Sequence, residues 1–502
     1  MKKILTFDIG TTAIKTCVFD EKLKALEKRT DEYNLQGDDG RVELDSEVYW
    51  QTMCHAVASI GEKISLASVE AICLTTQGET MIPITADGEA LHRAVVWLDD
   101  RAGKQAEEIS QKYTKEEIYR LTGVTDMNGF VPLAKLLWFK QERPEIYANT
   151  YKFLLLEDYL MYRLTGRFVT EKTLLTSTAY YDIRNDRYWT EILEDFGLDI
   201  EKLPEIMDSG RLVETINDQA AKQMGLPGDV KIFTGAMDQI AAAIGGGGLQ
   251  EGVVTATVGT CMALTSTVSS MEECTDDSLI LYRGITDNQY VMLPLCNTAG
   301  SVFKWFKDQC CEMEVKQCKE NGTDVYDKLC GYAAEVPAGA EGVVLLPYFA
   351  GSMQPKLIPE AKGVFYGLGI TTDRKIMTRA VLESIGYMLR ENMEMFEQFG
   401  SRATRVHFFG GGSKNRIWNQ IIADIANVEL VLLEEGECAS LGAAILAAVS
   451  LGWYADIKEG QKCNSVREVI KPDESLKEAY DTAYARYQKL FNSVAPIFAE
   501  MK

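Results

Sequence analysis

The sequence predicts an α/β protein with two large domains. A chain of 502 residues is too long for a single core. One pattern, a strand followed by a Gly-Thr turn and a second strand, occurs near the start and again midway along the chain. Strand-like and helix-like segments alternate between and after these two copies. We place the junction near the glycines at 245–248, which divides the chain into domains at 1–246 and 247–502.

The first hairpin occupies residues 4–20, ILTFDIGTTAIKTCVFD. Its apolar segments, 4–7 and 17–19, predict two buried strands. The turn between them, 8–12, holds one carboxylate, backbone N–H groups and two threonine hydroxyls. These groups suit a phosphate and its metal ion, whereas a turn that only reverses the chain would be made more simply by Asn-Gly or Asp-Gly. An ordinary hairpin loop is the alternative from this stretch alone.

The second hairpin, GVVTATVGTCMALTST at 252–267, repeats this pattern around Gly259 and Thr260. A nucleotide between two such halves would have one Gly-Thr hairpin on each side of its phosphates. The sequence contains no GxxxxGK[ST] loop, which excludes a P-loop enzyme. It also contains no GxGxxG motif between a strand and a helix, which weakens a dinucleotide interpretation.

Composition narrows the class of protein further. The net charge of −22 argues against a nucleic-acid partner or an anionic membrane surface. No signal peptide and no apolar run long enough to span a bilayer are recognised. The 12 cysteines are scattered without metal-binding spacing, which indicates reduced thiols and predicts a cytoplasmic protein.

Asp238 is the leading candidate for a chemical role. It follows the strand-like residues 231–233 and Gly235, and it opens the helix-like segment QIAAAIG. One interpretation is a helix N-cap, which stabilises by about 1 kcal/mol. The other is a general base at a strand end, facing the crevice where open α/β sheets bind ligands, and accepting the proton of an attacking hydroxyl.

Three further segments could line a site for a polyhydroxy compound and a nucleotide. Gln77 and Glu79 in TTQGET combine an amide with a carboxylate, and Trp97 in VVWLDDR offers a flat apolar wall and one N–H donor. The glycines of GGGSKN, residues 410–415, allow close backbone approach to a base or ribose. Each segment also has a purely structural alternative. TTQGET could be a solvated loop, Trp97 could belong to the core, and GGGSKN could be a common Gly-rich turn.

Taken together, these blocks resemble the FGGY family of carbohydrate kinases over nearly the whole chain. DIGTT, TVGT and TGAMDQ resemble its two phosphate motifs and the segment with its catalytic aspartate. PEAKGVFYGL and FFGGGSKNRIWNQIIADI resemble its C-terminal motifs, and each motif stands in the family's order. The resemblance implies an actin-like fold of two ribonuclease H-like domains, with a nucleotide and substrate cleft between them, and Mg-ATP as phosphoryl donor.

The resemblance also implies roles for individual residues. Asp238 would be the general base, and Asp8 and Asp238 would hold Mg²⁺ through water. The residues implied to bind the substrate are Gln77, Glu79, Trp97, Phe130, Asp238 and Gln239. The residues implied to bind the nucleotide are Gly10, Thr11, Thr12, Lys15, Gly259, Thr260, Lys304, Gly411 and Asn415.

The substrate end combines features of two branches of the family. Residues 77–80, Gln-Gly-Glu-Thr, resemble the glycerol-kinase pattern except that Gly78 stands where that branch has arginine, which removes a donor to a substrate hydroxyl. The Met-His-Gly motif of xylulokinases is missing, yet GFVPLAKLLWF resembles that branch and places Phe130 near the pocket. We expect a ketopentose such as xylulose, or a related ketose, with a glycerol- or erythritol-type polyol as the alternative.

Two other classes share parts of this pattern. An actin-like or chaperone-type ATPase shares the Gly-Thr hairpins but does not need Gln77, Glu79 and Trp97 together with Asp238. A sugar-sensing regulator that has lost catalysis would need a partner-binding extension, whereas this sequence starts directly in a strand. A small sugar or polyol is the expected partner, and the family resemblance allows a homodimer.

Overall fold

In the computed structural model of the chain, two units each carry their own sheet. The structure describes residues 1–38, 40–271, 279–353 and 356–500. The N-terminal unit contains Met1–Gly247, Ile280–Val291 and Glu437–Asn464. The C-terminal unit contains Gly248–Leu279, Met292–Gly436 and Ser465–Lys502. The predicted domain division at 246 and 247 stays a prediction.

Strands and helices alternate along the chain, as the sequence predicts. The strands are β1 (Lys3–Ile9), β2 (Ala13–Asp20), β3 (Ala25–Glu32), β4 (Gln36–Asp38), β5 (Arg41–Leu44), β6 (Val69–Thr76), β7 (Met81–Ile84), β8 (Ala94–Val95), β9 (Lys152–Leu155), β10 (Val169–Glu171), β11 (Tyr181–Asp182), β12 (Arg187–Tyr188), β13 (Glu205–Met207), β14 (Leu212–Thr215), β15 (Lys231–Met237), β16 (Val253–Val258), β17 (Met262–Val268), β18 (Leu281–Arg283), β19 (Tyr290–Met292), β20 (Leu295–Cys296), β21 (Val344–Leu346), β22 (Val364–Tyr366), β23 (Arg405–Phe409), β24 (Glu429–Leu433) and β25 (Val466–Ile470). The helices are α1 (Ser46–Gly61), α2 (Gly103–Lys112), α3 (Lys115–Thr122), α4 (Pro132–Glu142), α5 (Pro144–Asn149), α6 (Leu156–Thr165), α7 (Lys172–Leu175), α8 (Thr190–Asp195), α9 (Asp218–Met224), α10 (Asp238–Gly245), α11 (Gly300–Cys310), α12 (Glu312–Asn321), α13 (Val325–Ala334), α14 (Arg374–Gln398), α15 (Arg416–Ala426), α16 (Cys438–Ser450), α17 (Ile457–Gln461) and α18 (Lys477–Glu500). Within the described ranges, no helix combines the length and the apolar character needed to cross a bilayer.

The main sheet of the N-terminal unit has the strand order β14-β15-β6-β1-β2-β3. β1, β2 and β3 form an antiparallel meander, and β6 and β15 then run parallel to β1. Because parallel neighbours require crossover connections, long segments with helices separate these strands in sequence. The apolar side chains predicted to be buried in β1 and β2 are buried, so the first hairpin is the strand pair that the sequence predicts.

Three parallel strands of this sheet end at the same level. The ladder pairs Ile9 with Thr76, and Thr76 with Met237, so the last residues of β1, β6 and β15 lie side by side. Carboxyl ends of parallel strands meet at one edge of a sheet. The turn at 10–12, the segment 77–80 and Asp238 therefore leave the sheet from one edge.

The C-terminal unit repeats this arrangement. β16 and β17 form an antiparallel hairpin with Val258 opposite Met262, and β23 and β24 continue the sheet in parallel with β16. β25 closes that side as an antiparallel strand. The helix predicted from the period of its apolar residues, around 417–425, is α15, and Ile417 on its predicted stripe is only partly buried. The internal repeat predicted from the Gly-Thr hairpins is thus present in the strand order of both units.

Helices α10 and α16, both in the N-terminal unit, pack together through two glycines. A Cβ atom on Gly442 would lie 1.8 Å from the Ala241 carbonyl oxygen, and one on Gly245 would lie 2.0 Å from that of Cys438. Real Cβ atoms do not approach oxygen so closely. The two helix backbones therefore meet where no other residue fits, and α10 begins at Asp238.

The packing within the C-terminal unit also encloses a carboxyl group, that of Glu391 in α14. Glu391 accepts a hydrogen bond from the Tyr348 hydroxyl at 3.4 Å, and Tyr348 in turn lies 2.6 Å from the Tyr487 hydroxyl. Burial raises the pKa of Glu391 to about 7, although the charge of Lys356 acts in the opposite direction. This carboxyl group gains a proton more easily in the folded chain than in the unfolded chain.

We expect Gly442→Ala to lower the free energy of unfolding by about 1–3 kcal/mol, because overpacking forces the two helices apart. Gly331→Ala is the matched control, since a Cβ atom there meets nothing within 4 Å in α13. The control should raise stability by about 0.5–1 kcal/mol by removing glycine from a helix. Calorimetric unfolding of both variants checks this, and equal effects would contradict the contact.

Replacement of Glu391 by glutamine should change how stability depends on pH. A raised folded pKa stabilises the fold below the unfolded pKa, and this contribution is lost as pH rises through the folded value. Between about pH 5 and about pH 8, the wild type should therefore lose about 1–3 kcal/mol relative to Glu391→Gln, at about 1.4 kcal/mol per pKa unit. Thermal unfolding at both pH values measures the difference, and a constant separation of the midpoints would contradict it.

Candidate active site

The turn after β1 begins the candidate site. The Gly10 N–H donates to the Ala13 carbonyl at 3.0 Å and so closes the hairpin, and the Tyr33 hydroxyl donates to the Gly10 carbonyl. Asp8 and Lys15 face each other across the two strands, with 4.0 Å between the carboxylate and the ammonium. Burial raises the pKa of Asp8 to about 6, while the charge of Lys15 lowers it. The turn thus presents a partly buried carboxyl group beside a lysine.

Asp238 is the first residue of α10, and Met237 occupies the cap position. The capping interpretation therefore does not account for Asp238. Burial raises the pKa of Asp238 to about 7, and the charges of Asp8 and, more weakly, Glu79 add to the effect, whereas hydrogen bonds from Gln239 lower it. The carboxyl groups of Asp8, Glu79 and Asp238 consequently act on one another at the edge where β1, β6 and β15 end.

Glu79 is held in an unusual backbone conformation. Its φ of 61° lies in the left-handed region, which a side chain adopts only at a cost of about 1–3 kcal/mol. The fully buried ammonium of Lys135 donates to the Glu79 carbonyl at 3.2 Å and to the Val96 carbonyl at 3.0 Å. Burial lowers the pKa of Lys135 to about 8, against the opposing charge of Glu79. Lys135 therefore connects the backbone at Glu79 with the backbone just before Trp97.

Trp97 links the segment at 77–80 to the first hairpin. Its indole N–H donates to the Thr11 hydroxyl at 3.0 Å, and its backbone N–H donates to the Thr80 hydroxyl at 3.1 Å. The side chain is half-buried, so one part of the ring remains open to a ligand. The neighbouring Asp99 and Arg101 form a buried two-pronged ion pair with N–O distances of 2.6 Å, which is a structural role.

Sequence reasoning missed two residues at this edge. Tyr282 belongs to the segment 280–291, which lies in the N-terminal unit although it follows the second hairpin in sequence. Burial raises the pKa of Tyr282 well above its usual value, and the charges of Glu79 and Asp238 contribute, so its hydroxyl lies near both carboxylates. Ser177 lies beside Gly78, where its hydroxyl oxygen would be 3.2 Å from a Cβ atom. No local pattern distinguishes either residue in the sequence.

Gln77 and Phe130 are placed less directly. The Gln77 side chain is 5% exposed, and neither of its polar atoms has a hydrogen-bond partner among the described residues. Phe130 is 40% exposed and lies just before α4, the helix that carries Lys135. The binding roles predicted for both residues stay predictions.

In the C-terminal unit, the second Gly-Thr turn contacts the start of α11. The Gly300 N–H donates to the Gly259 carbonyl at 2.9 Å, and the Ser301 hydroxyl donates to the Thr260 carbonyl at 2.8 Å. The Gly259 N–H donates to the Cys261 carbonyl at 2.9 Å and so closes this hairpin, as the Gly10 N–H does in the first one. The carbonyls of this turn are thus used inside the fold, as those of a phosphate-binding turn must be.

The Gly-rich turn at 410–412 packs against the same hairpin. A Cβ atom on Gly410 would lie 2.8 Å from the Val258 carbonyl oxygen, and one on Gly412 would lie 2.7 Å from the Val258 side chain. Gly410 also has a φ of 88°, which favours glycine. The structure therefore brings together two predicted nucleotide segments of this unit, Gly259–Thr260 and Gly411.

The other predicted nucleotide residues of this unit already have protein partners. Asn415 caps α15 through its side-chain oxygen, and its amide donates to Asp327 at 2.7 Å. Lys304 on α11 is exposed and pairs with Asp308 at 2.7 Å. Lys15, in the N-terminal unit, pairs with Glu437 at 2.9 Å. Their roles toward a nucleotide stay predictions.

Asp8 and Asp238 suit a magnesium ion that arrives with phosphate. Mg²⁺ binds through one or two carboxylates and completes its shell with water and substrate phosphate oxygens. Among the residues that the structure describes, no group of three or more His, Cys, Asp or Glu side chains could hold a metal. A bound cation would favour the charged forms of Asp8 and Asp238, whose pKa values burial raises.

Two models of one family match most of the chain. The N-terminal domain of the FGGY family of carbohydrate kinases matches residues 3–245, and its C-terminal domain matches residues 254–451. The xylulose kinase of Staphylococcus xylosus is 25% identical over 98% of this chain and 100% of its own length. The gluconokinase of Bacillus subtilis (strain 168) is 27% identical over 89% of this chain and 88% of its own.

Solved structures agree with this match. The crystal structure of a ligand-bound xylulose kinase from Lactobacillus acidophilus has a TM-score of 0.91 and 26% identity, and the alignment covers 100% of both chains. The α/β fold with two actin-like domains is thereby confirmed, as are a phosphotransferase activity and the use of ATP with Mg²⁺. The chain belongs to the FGGY family of carbohydrate kinases.

Proposed function

We propose that this kinase phosphorylates a ketopentose such as xylulose, with Asp238 as the general base. The observation that carries the proposal is the alignment of β1, β6 and β15, which brings Asp8, Glu79 and Asp238 to one edge of a sheet. In the reaction, a carboxylate oxygen of Asp238 accepts the proton of the sugar hydroxyl. The alkoxide oxygen bonds to the γ-phosphorus of ATP, the bond to the β,γ-bridging oxygen breaks, and ADP leaves.

Glu79, Gln77, Trp97 and Phe130 are proposed to hold the sugar. Glu79 accepts hydrogen bonds from sugar hydroxyls, and the open part of the Trp97 ring packs against a C–H face. Gln77 is proposed to contact another hydroxyl of the sugar. We add Tyr282 to this group because its hydroxyl lies near Glu79 and Asp238.

The charges at this edge favour a neutral sugar over gluconate. Lys15 and Lys135 are the cations that act on Asp8 and Glu79, and each is already paired within the fold. A substrate carboxylate would be repelled by the acidic groups at this edge. An uncharged ketopentose avoids this cost. A polyol of the glycerol or erythritol type remains the alternative, with the Ser177 hydroxyl beside Gly78 in place of the arginine fork.

The nucleotide and metal roles are proposals in the same sense. In the N-terminal domain, the phosphates of ATP are proposed to contact Gly10, Thr11, Thr12 and Lys15. In the C-terminal domain, the rest of ATP is proposed to contact Gly259, Thr260, Lys304, Gly411 and Asn415. Bound Mg²⁺ neutralises phosphate charge, and Asp8 and Asp238 would hold it through water. We assign sugar binding to the domain 1–246 and nucleotide binding to the domain 247–502. The Gly-rich turn, which packs against Val258 at the second hairpin, supports the second assignment.

Location in the cytoplasm and assembly as a homodimer are also proposals. Cys73, Cys296 and Cys330 are buried free thiols, which supports a reducing compartment. Light scattering on the purified protein decides between a monomer and a dimer.

Asp238→Asn should abolish sugar-dependent ADP release, with a loss of about 10²–10⁴-fold in kcat because the proton acceptor is removed. The assay uses Mg-ATP with xylulose, ribulose, erythritol, glycerol and gluconate. Asp229→Asn, an exposed aspartate just before the same strand, is the matched control and should keep wild-type turnover. Equal ADP release with and without every sugar would instead favour a motion-coupled ATPase. Faster turnover of gluconate than of either ketopentose would overturn the substrate class.

Lys135→Met should raise the KM for the sugar about tenfold, which corresponds to about 1.4 kcal/mol. The substitution leaves the carbonyls of Glu79 and Val96 without their donor. The backbone at Glu79 and just before Trp97 is then no longer held in place. Lys140→Met is the matched control on the same helix, since Lys140 donates to the Phe196 and Gly197 carbonyls. The control should lower thermal stability without changing KM. The same KM shift in both variants would contradict a specific role for Lys135.

A further inference from the structure

The strand that delivers Asp238 leaves its ladder just before it ends. β15 pairs Phe233 with Cys73 and then Ala236 with Thr75, so three steps along β15 oppose two along β6. This bulge contains Gly235, where a Cβ atom would lie 1.6 Å from the Leu74 carbonyl oxygen. Beside a bulge, backbone N–H groups lose ladder partners and need other acceptors.

Two buried side chains supply those acceptors. Glu157 accepts from the Gly235 N–H at 3.0 Å, and the Thr173 hydroxyl oxygen accepts from the Met237 N–H at 2.9 Å. Met237 directly precedes Asp238, so the second bond fixes the Ala236–Met237 peptide, one residue before the proposed base. Both acceptors are almost fully buried, with 2% exposure for Glu157 and none for Thr173.

Glu171 orients the Thr173 hydroxyl. That hydroxyl donates to a Glu171 carboxylate oxygen at 2.7 Å, which directs its lone pairs toward the Met237 N–H. Glu171 also accepts from the Thr173 N–H at 2.8 Å, the Leu174 N–H at 2.5 Å and the Ser209 hydroxyl at 2.7 Å. Four donors therefore hold this carboxylate, and through it the hydroxyl, in one orientation.

The nearby Glu157 completes the arrangement. Burial raises the pKa of Glu157 well above its usual range, and the charge of Glu171 adds to the shift. Burial also raises the pKa of Glu171, while the four hydrogen bonds that it accepts act in the opposite direction. Both N–H groups of the bulged strand end thus have fixed acceptors that take no part in ligand binding.

We propose that Thr173, oriented by Glu171, is a positioning residue for phosphoryl transfer, because its hydroxyl fixes the backbone N–H of Met237, the residue directly before Asp238. This inference rests on Asp238 as the general base. Misplacement of a reacting group by about 1 Å can cost about 100-fold in rate, so a shift of this strand end should lower kcat rather than sugar affinity. Thr173 touches neither substrate nor nucleotide in this role.

The test compares Thr173→Val, which removes the acceptor at constant shape, with Thr173→Ser, which keeps it. Thr173→Val should lower kcat at least about tenfold while the sugar KM and the sugar Kd from calorimetry change less than about twofold. Thr173→Ser should restore most of kcat. Thr178→Val is the matched control, because Thr178 is equally buried and its hydroxyl donates to the Leu175 carbonyl instead of contacting β15. It should lower thermal stability and leave kcat unchanged.

Each outcome separates this inference from the proposed function. If Asp238→Asn retains turnover, the proposed base is wrong and the inference fails with it. If Asp238→Asn is inactive but Thr173→Val keeps kcat within about twofold, only the positioning role is overturned. Equal loss of kcat in Thr173→Val and Thr178→Val would indicate general destabilisation and overturn it too. Should Thr173→Val not fold, Thr173→Ala replaces it, and wild-type kcat in that variant would reject the role.

Discussion

The common register of β1, β6 and β15 is the constraint on which the candidate site depends. Backbone hydrogen bonds place Ile9, Thr76 and Met237 side by side. The residues that follow each strand end therefore lie at one edge of the sheet, although about 160 residues separate Thr76 from Met237 in the chain. A shift of one residue in any of these ladders would turn the side chains to the opposite face. The site is therefore as well defined as the sheet itself.

The carboxyl groups of Asp8, Glu79 and Asp238 at that edge carry an electrostatic cost in the folded protein. Burial raises the pKa values of Asp8 and Asp238, and the charges of Glu437 and of Asp8, respectively, add to the effect, so the fold disfavours their charged forms. The charges of Lys15 and Lys135 and hydrogen bonds from Gln239 and Ser177 offset part of this effect, and both lysines also have other partners. Strain at Glu79 adds to this cost. Such costs are typical of a site that is complete only with its cation and substrate bound.

The elements around this edge hold the backbone of the site in place, and they do not supply reactive groups. Lys135 holds two carbonyls, Thr173 holds one N–H, and Gly442 lets a helix approach α10 at its backbone. Phosphoryl transfer needs mainly positioning and charge neutralisation. A network of buried, fully used hydrogen bonds is well suited to that requirement, because it leaves the strand ends with one conformation.

The sequence by itself determined the class of fold, both Gly-Thr hairpins, the helix at 416–426 and Asp238 as the leading candidate, because each is encoded in a short pattern of apolar period and turn residues. Only the tertiary structure decided which distant residues support them. Tyr282 enters the N-terminal unit from the segment 280–291, and Thr173, Glu171 and Lys135 show no local signal. Their roles arise from burial and from hydrogen bonds between residues far apart in the chain, and no period or motif records either.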